Sequence, residues 1–576
     1  MFMATLEQLL HDRLAPAFEA VAGGPADPSL RRSQHADFQA DGSLALARRL
    51  GRNPREIAAE VVQRAQLGDL CAAVEISGPG FINLTVSDDA LAPLVGAMAA
   101  DERLGVAQVT DPDTVVVDYS GPNVAKEMHV GHLRSTVIGD AAVRLLEWLG
   151  HHVIKDNHLG DWGTPFGMLI EHLVDIGEAE AAHELSLGDL NTFYQAARTK
   201  FDADEAFKDR ARARVVALQS GDGQTLRRWR LLVDESEKYF LTVYDRLDVC
   251  LTEKDFFGES YYNDMLAPVV QELDQLGLLQ ESDGAKVVFP QGFKGRKGEP
   301  LPLIVQKRDG GYGYAATDLA AIRHRTQDLG ANRMLYVIGM PQRLHLEMVF
   351  EAAREAGWLT PPARAQHVGF GSVLGADGRM LRTRAGGSIK LVELIDEAIG
   401  RSAASVAEKN PELDEATRDR VARMVGIGAI KYADLSNDRI KDYVFDWGRM
   451  LSFDGNTAPY LQYAHARIQS IFRRGQVAVL EDQSGLAISE PAERALAIEL
   501  LAFAGVVTSL TESLEFHRLA TYLYGVATAF TAFYERCPVL RAEGTVRDSR
   551  LVLCDLTARV LACGLNLLGI AAPDRM

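Results

Sequence analysis

His129 and His132 stand three residues apart with Gly131 between them, where a short β-branched run, Thr114 to Val117, gives way through a loop to a helical pattern from Leu133 to Leu149. That order predicts strand, loop and helix N-terminus. The first backbone N–H groups of a helix have no partner within it, and the macrodipole adds partial positive charge, so such a place attracts anions. Two imidazoles there can donate to phosphate oxygens, and Gly131 leaves room for a flat base; the chemistry this suits is ATP binding. The same pair can also be zinc ligands or ordinary polar groups at a helix start.

The positioning elements follow from the pattern on either side. After the HVGH helix comes a second strand, His152 to Lys155, then a glycine-dense stretch from Asn157 to Gly167. Strand, helix, strand with glycine-rich loops at strand ends predicts a parallel sheet whose ligand sits at the carboxyl edge. Residues 175 to 300 read as mostly helical, including Gln195 to Gln219 and Thr225 to Asp245, and form an insertion before Leu303 to Lys307 resumes the sheet. Met334 to Gly339 and His367 to Leu374 are further strands. From about 400 the pattern is almost wholly helical, with Arg418 to Leu435, Ala458 to Phe472, Ala492 to Leu514, Ala520 to Glu535 and Ser549 to Leu568. Residues 1 to 108 read as a separate α/β unit. Taken singly, several polar residues have plain structural readings: Asp318 as a helix cap, Glu259 as a solvated carboxylate, His345 as core or cap, Phe81 as core, Arg382 and Arg384 as a solvated glycine-rich loop, and Tyr460 as bundle core.

Longer strings narrow the reading. Asp118-Tyr119-Ser120-Gly121-Pro122-Asn123-Val124-Ala125-Lys126 before HVGH, Gly160-Asp161-Trp162-Gly163-Thr164-Pro165-Phe166-Gly167, and Asp454 to Ile468 together resemble class I aminoacyl-tRNA synthetases, specifically the arginyl-tRNA synthetases. The resemblance implies a multidomain α/β protein. It would have a small N-terminal α/β domain at 1–108 that grips the tRNA elbow and a Rossmann-type parallel-sheet catalytic domain at 109–400 with a helical insertion at about 175–300. A C-terminal α-helical bundle for the anticodon would occupy 401–576.

It also implies ligation of L-arginine to tRNA(Arg) through an arginyl-adenylate, with ATP and Mg2+ as the substrate complex, release of AMP and pyrophosphate, and the tRNA 2′-hydroxyl as acceptor. By the same resemblance His129, Gly131 and His132 hold the triphosphate, while Asn123, Glu259, Tyr314, Asp318 and Gln342 hold arginine. The chemistry agrees, since a guanidinium is a planar fork of donors best met by carboxylates in its plane. The Lys-Met-Ser-Lys-Ser loop of most class I enzymes is missing; Arg382 and Arg384 supply positive charge there, and Lys126 is a substitute cation. Toward RNA, Phe81 would stack on a loop base and Asn83 bond its edge, while Tyr460, Arg467 and Met576 would lie at the anticodon. A catalytically inactive paralogue that only binds tRNA is the alternative.

Bulk properties are compatible with this. The 576 residues allow about three or four domains. A net charge of −18 speaks weakly against nucleic acid, yet a local basic face can coexist with an acidic remainder. Five scattered cysteines without a CxxC pair predict reduced thiols, a cytoplasmic setting and no structural metal. Glu7, His11, Asp12 and Arg13 in the first helical pattern fit no signal peptide, and no run reaches the length of a membrane span. A monomer without membrane association is expected.

Overall fold

The computed structural model describes residues 5–178, 180–181, 190–382, 389–477 and 485–576. The chain divides into two compact units, one of Val109–Leu451 with Leu567–Ile570, the other of Met1–Gln108, Ser452–Asn566 and Ala571–Met576.

In the first unit Thr114–Asp118 lies at the centre of a four-stranded parallel sheet, in the order Arg364–His367, Arg333–Tyr336, Thr114–Asp118, His152–Asp156. Val115, Val116 and Val117 are fully buried, as expected of a strand covered on both faces. The register aligns Asp156, Asp118, Tyr336 and His367 in one row at the carboxyl edge. Successive connections leave Thr114–Asp118 in opposite directions, which makes its carboxyl end the topological switch point where such sheets bind ligands. The helix Val130–Leu149 starts there, buries Leu133, Val137, Ala141 and Leu145, and stops at Gly150 with φ 97°.

Two stretches of this unit expected as single elements are divided. Asp204 ends the helix Leu190–Ala203 and caps Glu205–Gln219 by accepting from the Ala206 and Phe207 N–H groups. The expected strand from His367 to Leu374 is two pieces, Arg364–His367 and Val373–Leu374, and the second pairs in parallel with Tyr443–Val444. Gly371 sits where a Cβ would come within 2.7 Å of the Lys441 backbone, so that close approach breaks the strand. The insertion also holds two strands absent from the helical pattern, Leu279–Ser282 and Ala285–Val288, and Leu303–Gln306, expected to resume the parallel sheet, instead pairs antiparallel with Ala285–Val288 in this separate sheet. Its turn, Asp283-Gly284, has φ of 50° and 77° and is a two-residue Asp-Gly hairpin loop that the sequence already carried.

The helices Leu391–Lys409 and Glu415–Leu435 also belong to this unit. Arg134 and Asp434, both about 1% exposed, pair at 3.1 Å. Fully buried Lys431 donates at 2.7 Å to the carbonyls of Asp248 and Gly569, with Asp140 of the HVGH helix at 3.7 Å.

The second unit has a four-stranded antiparallel sheet in the order Leu30–Arg32, Phe38–Ala40, Phe81–Val86, Cys71–Ser77. Its later part is helical, with Ala458–Gly475, Pro491–Leu501, Phe503–Ser513, Phe516–Arg536 and the helix from Gly544. The run expected as one helix from Ala492 to Leu514 is interrupted at Ala502. Pro491–Ser513 is long and apolar enough to cross a membrane by composition, although the sequence reading placed no such run there; half of its most apolar window is buried inside the unit. Arg494 holds Asp37 and Asp88, Arg32 pairs with Glu499 at 2.8 Å, and Arg559 donates to the carbonyls of Ala99 and Asp101. These bonds tie the sheet's own segment to the helices within one body.

Candidate active site

His129 is extended, with φ −124°, and caps the helix: its Nδ1 accepts the Gly131 N–H at 3.0 Å. Three residues on, Nδ1 of His132 accepts the N–H of His129 at 3.1 Å, and the two rings lie 4.1 Å apart. With Nδ1 an acceptor in both rings, the ring proton resides on Nε2. Burial lowers both pKa values, that of His132 to about 3, and the neighbouring charge of Lys126 adds to it. Both imidazoles are therefore neutral near pH 7 and offer an Nε2–H donor at a helix N-terminus. Gly131 also serves the capping histidine. A Cβ there would meet the His129 ring at 2.7 Å, so the glycine first makes room for the capping histidine.

The approach to this helix is strained and firmly held. Ser120, Gly121 and Ala125 have φ of 71°, 53° and 59°. Two of these are not glycine, a conformation kept only where the surroundings impose it. Ser120 N–H donates to Ser135 Oγ at 2.9 Å, its hydroxyl meets Tyr244 at 2.8 Å, and Ala125 N–H donates to Ser236 Oγ at 3.0 Å. Asn123 bridges to Gly160, which has no room for a Cβ against the Asn123 side chain. Lys126 lies with its ammonium 4.5 Å from the centre of the Tyr194 ring.

The basic loop returns beside the same helix. Val130 N–H donates to Ile389 O at 3.0 Å, Leu391 N–H to Met128 O at 2.9 Å, and Lys390 pairs with Glu127 at 3.0 Å. Arg382 is exposed; Arg384 lies outside the described residues.

Asp318 does not cap a helix. Its helix, Tyr314–Gln327, begins one turn earlier at Gly313, which leaves the carboxylate to accept from His345 Nε2 at 2.6 Å. Glu259 opens a short 3-10 turn, Glu259–Tyr262, and burial together with the charges of Asp161 and Asp318 pushes its carboxyl up to about 7, against the pull of His158. Tyr314 is 76% exposed. Gln342 is exposed at the start of the helix Arg343–Glu355, three residues before His345. His345, read from sequence as core or cap, is thus a direct partner of a proposed recognition residue; its place three positions after Gln342 was the available signal.

Beneath the site Asp118, Asp156 and His158 come within metal-binding distance of one another. Arg325 already fills this cluster, at 2.8 Å from Asp118 and 2.7 Å from Asp156, with its guanidinium 5.1 Å from the Tyr336 ring centre. The two carboxylates therefore meet a buried cation of the chain itself.

In the other unit Phe81 is half-buried over Gly78, and Asn83 is 8% exposed, accepting from Gln39 at 2.7 Å and donating to Ser77 at 2.9 Å. Arg31 donates in turn to Gln39 at 2.7 Å. Sequence reasoning passed over Gln39 and Arg31 because the strands Leu30–Arg32 and Phe38–Ala40 are only three residues each. Tyr460 is half-buried beside Tyr524, Arg467 stacks 4.4 Å from the centre of the Tyr534 ring, and Met576 is half-buried.

Comparison with known proteins decides the family. Residues 94–447 match the family described as tRNA synthetases class I (R), catalytic domain, residues 4–86 the arginyl tRNA synthetase N terminal domain, and residues 461–576 the DALR anticodon binding domain. The chain belongs to the arginyl-tRNA synthetases. It is 55% identical over the full length of both chains to the arginine–tRNA ligase of Thermobifida fusca, and 48% identical to that of Hahella chejuensis, covering 99% of this chain and 100% of the other. The solved arginyl-tRNA synthetase of Plasmodium falciparum superposes with a TM-score of 0.86 at 28% identity over 100% of both chains. That of Thermus thermophilus gives 0.82 at 25%, covering 99% of this chain and 100% of the other. As a synthetase of this family the chain is an ATP-dependent ligase, and no feature favours a paralogue without catalysis. The Rossmann-like parallel sheet, the N-terminal α/β segment and the C-terminal helices are those the motifs implied.

Proposed function

We propose that the two neutral imidazoles, His129 and His132, bind the ATP triphosphate while the carboxylate of L-arginine attacks the α-phosphate. An oxygen–phosphorus bond forms, the bond to the β-phosphate breaks, and pyrophosphate leaves with its Mg2+. The 2′-hydroxyl of the terminal adenosine of tRNA(Arg) then attacks the arginyl carbonyl, loses its proton and displaces AMP. Nothing in either step needs a covalent enzyme intermediate, so catalysis rests on positioning and on donors aimed at developing charge.

The observation that carries this reading is the paired Nδ1 acceptance of backbone N–H groups, which leaves two Nε2–H donors at one helix N-terminus. Lys126, Gly131 and the loop with Arg382 and Arg384 complete the phosphate side. Asn123, Glu259, Tyr314, Asp318 and Gln342 hold arginine, where Glu259 and Asp318 give two carboxylates to one guanidinium. At the tRNA elbow the residues are Phe81 and Asn83, the latter buried with its amide bonded to Gln39 and Ser77; Tyr460, Arg467 and Met576 lie toward the anticodon. The working enzyme is a cytoplasmic monomer, free of membrane.

The test is attachment of radiolabelled arginine to total tRNA with purified protein and ATP, beside a lysine control. Arginine-only charging supports the proposal. Charging with neither amino acid by a folded protein overturns it.

A further inference from the structure

Asp318 and His345 lie on different helices, Tyr314–Gln327 and Arg343–Glu355, yet His345 Nε2 reaches Asp318 Oδ2 at 2.6 Å. Neither group is sealed away: the side chains are 25% and 32% exposed, so the pair borders the site and is not core packing. Asp318 sits in the second turn of its helix, where its carboxylate has no backbone N–H to cap, and His345 is its ion-pair partner among the described residues. The carboxylate also stands close enough to Glu259 for its charge to raise the Glu259 carboxyl. Before substrate arrives the carboxylate needs a donor to fix its orientation, because rotation about its last torsion is broad.

We propose that His345 is the positioning residue for arginine recognition. Its Nε2–H holds Oδ2, which turns Oδ1 of Asp318 toward the place of the guanidinium. Gln342 begins the same helix, so one helix start fixes both a direct arginine contact and the holder of another. The inference rests on the reading that Asp318 meets the guanidinium, and it adds the residue that makes that carboxylate a preformed acceptor.

The experiment measures arginine-dependent ATP–pyrophosphate exchange, in the presence of tRNA, for the wild type, Asp318→Asn, His345→Ala, His345→Gln, and the double variant Asp318→Asn with His345→Ala. Asp318→Asn tests the underlying reading and should raise the KM for arginine strongly. His345→Ala should raise the arginine KM by about tenfold or more with the ATP KM within about twofold, the split expected when binding of one substrate is lost. A glutamine amide can stand in for Nε2–H, so His345→Gln should return to within about threefold of wild type. The double variant should be no worse than Asp318→Asn alone, because the holder has nothing left to hold.

An unchanged arginine KM in His345→Ala, equal rises for arginine and ATP, or His345→Gln as poor as alanine would each overturn the proposal while leaving the role of Asp318 intact. An unchanged arginine KM in Asp318→Asn would overturn both. Should His345→Ala fail to fold, His345→Asn serves instead: its shorter amide falls short of Oδ2, so it should resemble the alanine variant against the rescue by glutamine, and an asparagine variant equal to wild type would overturn the proposal.

Discussion

His132 accepts on Nδ1 the backbone N–H of His129, the residue that caps its own helix, at 3.1 Å. The bond exists only while Nδ1 is unprotonated. Burial holds both histidines below the ordinary imidazole value, His132 at about 3, whereas the unfolded chain titrates near about 6.5. Between those values the unfolded state binds more protons, so the contribution to stability is complete above about pH 6.5 and is lost as pH falls toward the folded pKa. The urea midpoint should therefore drop between pH 7.5 and 5.5, and His132→Asn, which removes the titrating group, should flatten the fall. Equal slopes for the two proteins would contradict this account.

Glu259 gives a second pH dependence with its own signature. Its carboxyl is raised to about 7 by burial and by Asp161 and Asp318, so part of it is neutral at the working pH. A neutral acid meets a guanidinium less well than a carboxylate does. The KM for arginine should rise as pH drops below about 7, and binding of arginine should release protons, measurable by calorimetry in buffers of different ionisation enthalpy. In Glu259→Gln the KM should be higher and lose that pH dependence; a wild-type KM constant from pH 8 to 6 would argue against it.

At Gly131 the prediction is steric. Alanine would place a Cβ 2.7 Å from the ring of His129, so the ring must swing away and the Nδ1 cap is lost. A lost cap costs about 1 kcal/mol of stability. Loss of a preorganised donor costs about a hundredfold in turnover. Thermal melting and pyrophosphate exchange of Gly131→Ala should show a small loss in the first and a large one in the second. Wild-type turnover in this variant would remove the ring's orientation from the mechanism.

Arg325 is a structural matter. Replacing it by methionine leaves Asp118 and Asp156 buried without their shared cation, and breaking a buried pair in this way costs about 3–5 kcal/mol. Urea unfolding should register it, and Asp156→Asn placed on the same background should recover part of the loss. An unaltered midpoint would mean that the guanidinium contributes no net stability.

Local chemistry made much of this molecule legible. The helix Pro54–Ala65 carries its start in the sequence, as an asparagine cap, Asn53, followed by a proline in the first turn. The HVGH helix begins three residues before its apolar pattern does, since its first turn is defined by a histidine cap instead of by apolar periodicity. Strand order was not readable: Tyr336 lies beside Asp118 through pairing across more than two hundred residues, and no local signal encodes such a neighbour. The same limit hid His345, whose role depends on a carboxylate 27 residues away on another helix. The Asp283-Gly284 hairpin, by contrast, had a local signal that the surrounding helical runs obscured.

Lys431 finds its carbonyl acceptors 183 residues back along the chain, at Asp248, and 138 residues ahead, at Gly569. A buried ammonium short of an acceptor is costly, and Lys431 lies against Asp140 on the helix that carries both histidines. On a ribosome, nearly all of Val109–Leu451 emerges well before Gly569 does. The nucleotide-binding unit must then wait for a carbonyl made 138 residues later, and a nascent chain stalled before residue 567 would present its HVGH helix without the last of its braces.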